Sequence, residues 1–428
     1  MNPAAAAARP VGGLATGFAP SFRLIQAHFW LGLAGLCLFA AGLVFVAPTL
    51  EGHFFQPRLL GLVHLCVLGW LLPIALGAMH QLVPVVFEVP VRSERIAWVA
   101  LFLFAAGAAG LVGHMWSLSV GWGFPAAAAL LTTSVILYAW NLLSTLARKA
   151  TMTLTGVYVI ASLFWLLLAV GFGMALAWHL HAPWLQMNHL LLLRAHAHAA
   201  GLGFFGLLIM GVAYRLLEMF LLSYGASERA GRAAFLFVNA GLIGLVIGFV
   251  TDGGVWTIAA AAAIAAGVCC FLLQVRTIHA RRMRKKTDSA WHLTFASFAY
   301  LASAAAVGLG LVLWTDPPHE LVLAYGLIAL PGFVGSVVIG QLYKILPFLV
   351  WLHRFSPYVG LKKVPAASEI LPEAPKRIQA VLMHAGLLTL LAGMGTGSGA
   401  LRLAGALGFA ASALLATRNF SIILRSRP

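Results

Sequence analysis

Two histidines, His196 and His198, lie one residue apart in an apolar stretch that follows Arg194 and continues to Tyr214. Ionisable side chains are costly inside a bilayer, so two histidines and an arginine at the head of a membrane-spanning helix indicate a functional site. Imidazole nitrogens are common ligands of metals and of haem iron. The pair is therefore the first candidate for cofactor binding.

The residue spacing around this pair occurs three times in the chain. The first residue of each copy is followed after five positions by a glycine and after eight more by a second glycine. The three sets are His64, Gly69 and Gly77, then His198, Gly203 and Gly211, then Leu327, Gly332 and Gly340. Successive copies are 134 and 129 residues apart. This spacing predicts one four-helix unit used three times, over about 25–147, 151–275 and 290–424.

The elements that carry these residues are expected to be transmembrane helices. Hydrophobic residues make up 62% of the 428 and charged residues 9%, with a mean hydropathy of +0.96, which is more apolar surface than a water-soluble fold can bury. The sequence predicts an all-α, polytopic membrane protein in which a cytoplasmic tail, 1–24, precedes one transmembrane domain, 25–428. The twelve predicted spans are approximately 25–47, 58–85, 95–115, 119–145, 152–178, 188–217, 231–251, 253–275, 290–314, 320–350, 377–397 and 400–424.

The distribution of positive charge predicts the orientation of the spans. With the N-terminus inside, all but three of the 27 Lys and Arg fall on the cytoplasmic side, the exceptions being Arg58, Arg194 and Arg402. The positive-inside rule therefore predicts both termini in the cytoplasm and the spans in the cytoplasmic (inner) membrane. The net charge of +16 is explained by this topology, so we expect the lipid bilayer and not nucleic acid as the partner.

The histidines of the second and sixth predicted spans are expected at the same depth in the membrane. His64 lies six residues below Arg58, or about 9 Å along a helix, and His196 and His198 lie at similar depth below Arg194. A haem between two helices needs axial imidazoles at one level, cations for its propionates at a polar rim, and small residues where the macrocycle meets the backbone. The candidate small residues are Gly69, Ala199, Ala200, Gly201 and Gly203.

We expect a haem b held by His64 and His198, with Arg58 and Arg194 at its rim. His196, two residues before His198, points about 200° away around the helix. It therefore faces another compartment, where it either binds a second haem or metal or hydrogen-bonds to a neighbouring helix.

The other histidines have simpler explanations. Hydrogen bonding across a helix interface accounts for His28, His114 and His384, and helix packing accounts for His80, which aligns with Tyr214 and Tyr343 in the repeat. Solvated outer loops account for His53, His179, His181 and His319. The cluster of His179, His181, His189 and Met187 has side chains that copper binds, but solvated loop surface explains it with fewer assumptions.

These residues resemble a known family, subunit I of the haem–copper oxidase superfamily, and most nearly its C-type cytochrome oxidases and nitric oxide reductases. The segment from His196 and His198 through Gly203 and Gly211 to Tyr214 resembles that family's signature helix. The segment from Pro57 to His64 resembles its second helix. The resemblance implies haem ligation by His64, His198 and His196, and oxidase subunits or another redox protein as partners.

Two departures from the family limit what the resemblance implies. The His-x-His pair falls on the sixth span, whereas the family carries it on the tenth, and span 10 has Tyr325 and Leu327 at those positions. Spans 7 and 8, over 231–251 and 253–275, contain no histidine to hold the family's active-site copper. We therefore expect no copper centre and no terminal oxidase activity.

The function predicted from the sequence is haem b binding with a role in electron transfer or in respiratory or nitric oxide-related redox chemistry. Any enzymatic activity would be that of an oxidoreductase of this superfamily. Two alternatives stay open. One is a His-rich membrane haem protein of the nitric oxide response, and the other is a membrane transporter without a cofactor.

Overall fold

The computed structural model describes residues 16–149, 151–251 and 253–428, so most of the predicted N-terminal tail lies outside the described residues. The chain is all-α and 82% helical. Among the described residues, twelve helices are long and apolar enough to cross a membrane. They are α1 (Phe22–Thr49), α2 (Pro57–Phe87), α3 (Glu94–Trp116), α4 (Gly123–Leu146), α5 (Leu154–His181), α6 (His189–Leu221), α7 (Arg229–Val250), α8 (Gly254–Ala280), α9 (Ser289–Leu313), α10 (His319–Tyr358), α11 (Glu373–Gly395) and α12 (Gly399–Arg425).

The predicted number and order of the helices are confirmed, and the ends of most agree within a few residues. The largest difference is at the end of α10, which continues to Tyr358 where the prediction ended at 350. Large apolar side chains on the outer faces, such as Trp256 at 77% and Phe102 at 67% exposure, are typical of contact with lipid. The chain is therefore a multi-pass membrane protein.

The described helices form an outer ring around three inner ones. Around the ring, each helix packs against the next in the order α1, α3, α4, α5, α7, α8, α9, α11, α12 and back to α1. The inner helices are α2, α6 and α10, and α10 packs against each of the other two.

The ring closes where the buried side chain of Arg402, near the start of α12, reaches the loop after α1. Its guanidinium donates hydrogen bonds to the carbonyl oxygens of Leu50 (2.7 Å) and Pro48 (3.1 Å).

Each inner helix has a π-helical segment near its middle. These segments cover Leu65–Leu71 in α2, Ala199–Gly206 in α6 and Ile328–Gly335 in α10. Each begins at the residue after His64, His198 or Leu327, the three positions that align in the sequence repeat. A π-helical turn contains an extra residue and is found frequently at functional sites, so these segments direct attention to the histidines that precede them.

Local sequence explains where the two histidine-bearing helices begin. Pro57 is the first residue of α2, a position where its missing N–H costs nothing. Asn188 precedes α6, and its side-chain oxygen accepts a hydrogen bond from the backbone N–H of Leu190 at 3.0 Å. These two starts fix the distance along each helix from its first residue to its histidines.

Candidate functional site

Backbone hydrogen bonds fix the tautomer of all three candidate ligands. The Nδ1 atom of His64 lies 2.8 Å from the carbonyl oxygen of Leu60, and that of His198 lies 2.8 Å from the carbonyl oxygen of Arg194. A carbonyl oxygen only accepts, so Nδ1 carries the proton in each neutral ring and Nε2 is left with a free lone pair. This is the arrangement that metal-ligating histidines use.

His196 is fixed in a different way, by the neighbouring helix. Its Nδ1 donates to the carbonyl oxygen of Ala169 in α5 at 2.8 Å. Gly173, one turn further along α5, makes room for the ring, because a Cβ at that position would lie 3.1 Å from the Cε1 atom of His196. The hydrogen bond to a neighbouring helix that the sequence allowed for His196 is therefore present, and Nε2 of this ring is also left free.

The imidazole that faces His64 is His196 and not His198. The ring centres of His64 and His196 are 6.1 Å apart and their planes differ by 14°. The prediction paired His64 with His198, whereas in the structure His64 lies beside His196. Residues two apart on a helix point in nearly opposite directions, so only one of the two α6 histidines can face α2. The hydrogen bond to Ala169 holds His196 in that role.

His198 faces α10, where its neighbour is Tyr325. The Tyr325 hydroxyl lies 3.4 Å from Nε2 of His198, and the two ring centres are 6.1 Å apart. The prediction gave Tyr325 no role. The repeat contained the signal, because Tyr325 aligns with His196 just as His64 aligns with His198. The two observed pairs, His64 with His196 and His198 with Tyr325, thus occupy equivalent positions.

One cavity of about 990 Å³ connects the two pairs. Its walls are mostly Leu, Val, Ala and Phe side chains, and His64, His196, His198 and Tyr325 all line it. We call the part around His64 and His196, on the side of α1 to α5, the His64 lobe. The part around His198 and Tyr325, lined by α6 to α10, is the Tyr325 lobe. The volume is within the range of sites that enclose a cofactor or drug-sized ligand.

Only one of the two predicted rim arginines borders the cavity. Arg194 is among its lining residues, whereas the guanidinium of Arg58 lies over the ring of Phe45, 5.4 Å from its centre. Of the two arginines predicted at the rim, Arg58 therefore does not line the cavity in this structure. Its position on α2 turns it toward α1 and an aromatic face, where a cation is also stabilised.

The predicted small residues have two different environments. Ala200 and Gly201 line the cavity, but Gly69 and Gly203 pack against outer helices. A Cβ on Gly203 would lie 2.7 Å from the ring of Trp165 in α5. Gly69 meets Gly35 of α1, and Ala199 is fully buried. The prediction that all five small residues adjoin a macrocycle therefore holds at most for Ala200 and Gly201.

The remaining histidines lie apart from the two facing pairs. His80 is fully buried, with its ring centre 4.8 Å from that of Tyr138 and 5.4 Å from that of His28. Near the end of α5, Nδ1 of His181 lies 2.8 Å from the carbonyl oxygen of Val120, and the rings of His179 and His189 are 5.5 Å apart. Within the described ranges, no group of three or more His, Cys, Asp or Glu side chains is placed to hold a metal ion.

No protein-family model matches this chain, and no curated protein is significantly similar to it.

Proposed function

We propose that this membrane protein binds haem b in the His64 lobe, where His64 and His196 would hold its iron, and that it transfers electrons. The observation that carries the proposal is the pair of nearly parallel imidazoles on facing helices, each with its Nδ1 proton committed to a backbone carbonyl. Two neutral rings with free Nε2 lone pairs at one depth are a ligand set for haem iron.

The residues of the lobe fit this cofactor. Two imidazoles that would hold one iron between them need ring centres far enough apart to admit it. The observed separation is 6.1 Å. The apolar walls suit a macrocycle.

When bound, haem supplies a one-electron redox centre. His64 and His196 would hold and orient it, and their paired ligation would leave no coordination position for oxygen, which favours electron transfer over oxygen reduction. The Ala169 carbonyl and Gly173 position the His196 ring, and the apolar lining excludes water from the site.

We also propose that the chain consists of three copies of a four-helix unit, in the arrangement of haem–copper oxidase subunit I. The aligned π-helical segments and the two equivalent facing pairs support this. So do the aligned glycines Gly77, Gly211 and Gly340, since each packs closely against the first helix of its own copy, α1, α5 or α9. With both termini inside, the protein would lie in the cytoplasmic membrane.

Absorption spectra of the detergent-purified protein, oxidised and dithionite-reduced, test the haem proposal. We expect one haem b per chain, measured as the pyridine haemochrome, with a sharp low-spin α-band. His64→Ala and His196→Ala should each abolish the low-spin spectrum, because each removes one axial ligand. His80→Ala is the matched control, since it removes a buried inner-helix histidine outside the cavity lining.

The other possible results of these spectra would each indicate a different ligand pair or a different function. Loss of the spectrum in His198→Ala with its retention in His196→Ala would contradict the ligand pair. High-spin haem in the parent protein would favour an enzyme or a protein of the nitric oxide response. A colourless protein would overturn haem binding and favour a transporter.

A further inference from the structure

The Tyr325 lobe contains two polar groups, the Tyr325 hydroxyl and Nε2 of His198, that can each form a further hydrogen bond. The 3.4 Å between the Tyr325 hydroxyl and Nε2 of His198 exceeds the usual length of such a bond, so the contact is weak. The hydroxyl can donate to another acceptor, and Nε2 can accept from another donor. The rings of Phe249 and Tyr325 flank His198, with the Phe249 centre 5.3 Å from the imidazole centre.

The lobe is a long apolar slot between α8 and α9. Its lining runs along α8 from Gly254 to Val268 and along α9 from Leu301 to Trp314. At 1.5 Å per residue, each wall is about 20 Å long. Leu313 and Trp314, at one end of the slot, are 60% and 55% exposed. The slot therefore reaches the surface of the protein at this end.

The lining is almost uncharged and favours a largely apolar ligand. No carboxylate or lysine side chain lines the cavity in the part of the chain that the structure describes, and Arg194 is its one fully charged side chain there. A ligand that suits the slot has a flat polar head for the imidazole and phenol, and an apolar chain for the walls.

We propose that the Tyr325 lobe binds a lipid-soluble quinone, with its ring beside His198 and Tyr325 and its tail along the slot between α8 and α9. Tyr325 donates to a quinone carbonyl oxygen, and Nε2 of His198 accepts from the hydroxyl of the reduced quinol form. A fused or substituted ring packs against the Phe249 face. Binding at this lobe does not depend on haem in the His64 lobe.

Tryptophan fluorescence quenching of the purified full chain by a benzoquinone with a ten-carbon tail measures this binding. Tyr325→Phe should raise Kd about 3- to 10-fold, which is the effect of removing one hydrogen bond. Gly308→Leu should raise Kd at least about 10-fold by filling the lobe, because the Cβ position of Gly308 already lies 3.3 Å from the Tyr325 ring. Folding of both variants is checked by their elution as monodisperse protein and by circular dichroism.

Two control variants locate the site. Tyr343→Phe makes the same change on the same helix but outside the cavity lining, and Thr132→Leu narrows the opposite, His64 lobe. Both should leave Kd unchanged. A Kd that responds to Thr132→Leu but not to Gly308→Leu would overturn the assignment.

A ten-carbon alcohol without the quinone ring distinguishes the headgroup from the chain. If it competes with the quinone at equal affinity, and Tyr325→Phe has no effect, the slot holds acyl chains without selecting a head, and the proposal is wrong. Loss of haem with retained quinone binding would contradict only the function proposed for the His64 lobe. Retained haem with loss of quinone binding would contradict only the quinone site.

Discussion

At the scale of single residues, the direction of each imidazole is decided by one hydrogen bond. His64 and His198 donate to carbonyls one turn back on their own helices, so each ring lies along its helix. His196 donates across to α5, so its position depends on a neighbour. Of the two proposed ligands, His196 is therefore the one whose geometry can be altered from outside its own helix.

Gly173→Ala tests this dependence. The new methyl would lie 3.1 Å from Cε1 and 3.4 Å from Nδ1 of His196, so the ring must shift and its bond to Ala169 must weaken. Loss of a group that orients a ligand typically costs 10–100-fold in metal affinity, and we expect haem affinity to fall roughly 10-fold. Haem titration of the apoprotein measures the change.

Gly171→Ala is the matched control for that experiment. It lies in the same helix, and a Cβ there meets no atom within 4 Å. Equal haem affinity in the two variants would show that Gly173 does not position His196.

At the scale of the elements, each π-helical segment contains a glycine at which an inner helix packs closely against an outer one. Gly69 is within the segment of α2 and packs on Gly35 of α1. Gly203 and Gly332, within the segments of α6 and α10, pack on the aromatic rings of Trp165 and Tyr300. Small residues let helices pack at short distance, which is the main source of helix association in a membrane.

Gly35→Ala should be strongly destabilising for this reason. Its Cβ would lie 1.9 Å from the carbonyl oxygen of Gly69, and backbone cannot move aside as a flexible side chain can. Overpacking costs about 1–3 kcal/mol in unfolding free energy, and we expect a value at or above the upper end. Thermal unfolding of the purified protein measures it.

Gly113→Ala in α3 provides the comparison, because a Cβ there meets open space. We expect its melting temperature to equal that of the parent protein or exceed it slightly, since alanine is the better helix former. A parent-like melting temperature for Gly35→Ala would contradict the close approach of α1 and α2.

At the scale of the whole molecule, a ring of helices surrounds three inner helices that share one cavity. Arg402 ties the last helix to the loop after the first, and the cavity has both facing pairs on its wall. The orientation of the chain determines which face of the membrane carries the loops beside the cavity. Orientation is therefore the property of the whole chain that most needs a test.

Cysteine labelling of intact cells tests the orientation. Lys286→Cys is in the basic segment between α8 and α9, and Asp316→Cys is in the segment between α9 and α10. With both termini inside, a membrane-impermeant maleimide should label Asp316→Cys in intact cells, after the outer membrane is opened if the cell has one. It should label Lys286→Cys only after the cytoplasmic membrane is disrupted. The parent chain gives the background of its four cysteines, and the reverse pattern would contradict the orientation.

The sequence by itself determined the number, order and approximate ends of the helices. A membrane-spanning helix must be long and apolar whatever it packs against, so this information is local. The sequence also identified which side chains could do chemistry, since His64, His196 and His198 are exceptional in an apolar segment.

Only the tertiary structure decided which of these side chains face one another. The rotation of each helix about its axis is set by packing, as with Gly173 beside His196 and Gly69 against Gly35. The extra residue in each π-helical turn also changes the direction of every side chain beyond it, which a regular period of 3.6 residues does not anticipate. The partners of His64 and His198, and the separation of Arg58 from the cavity, follow from those rotations and not from spacing along the chain.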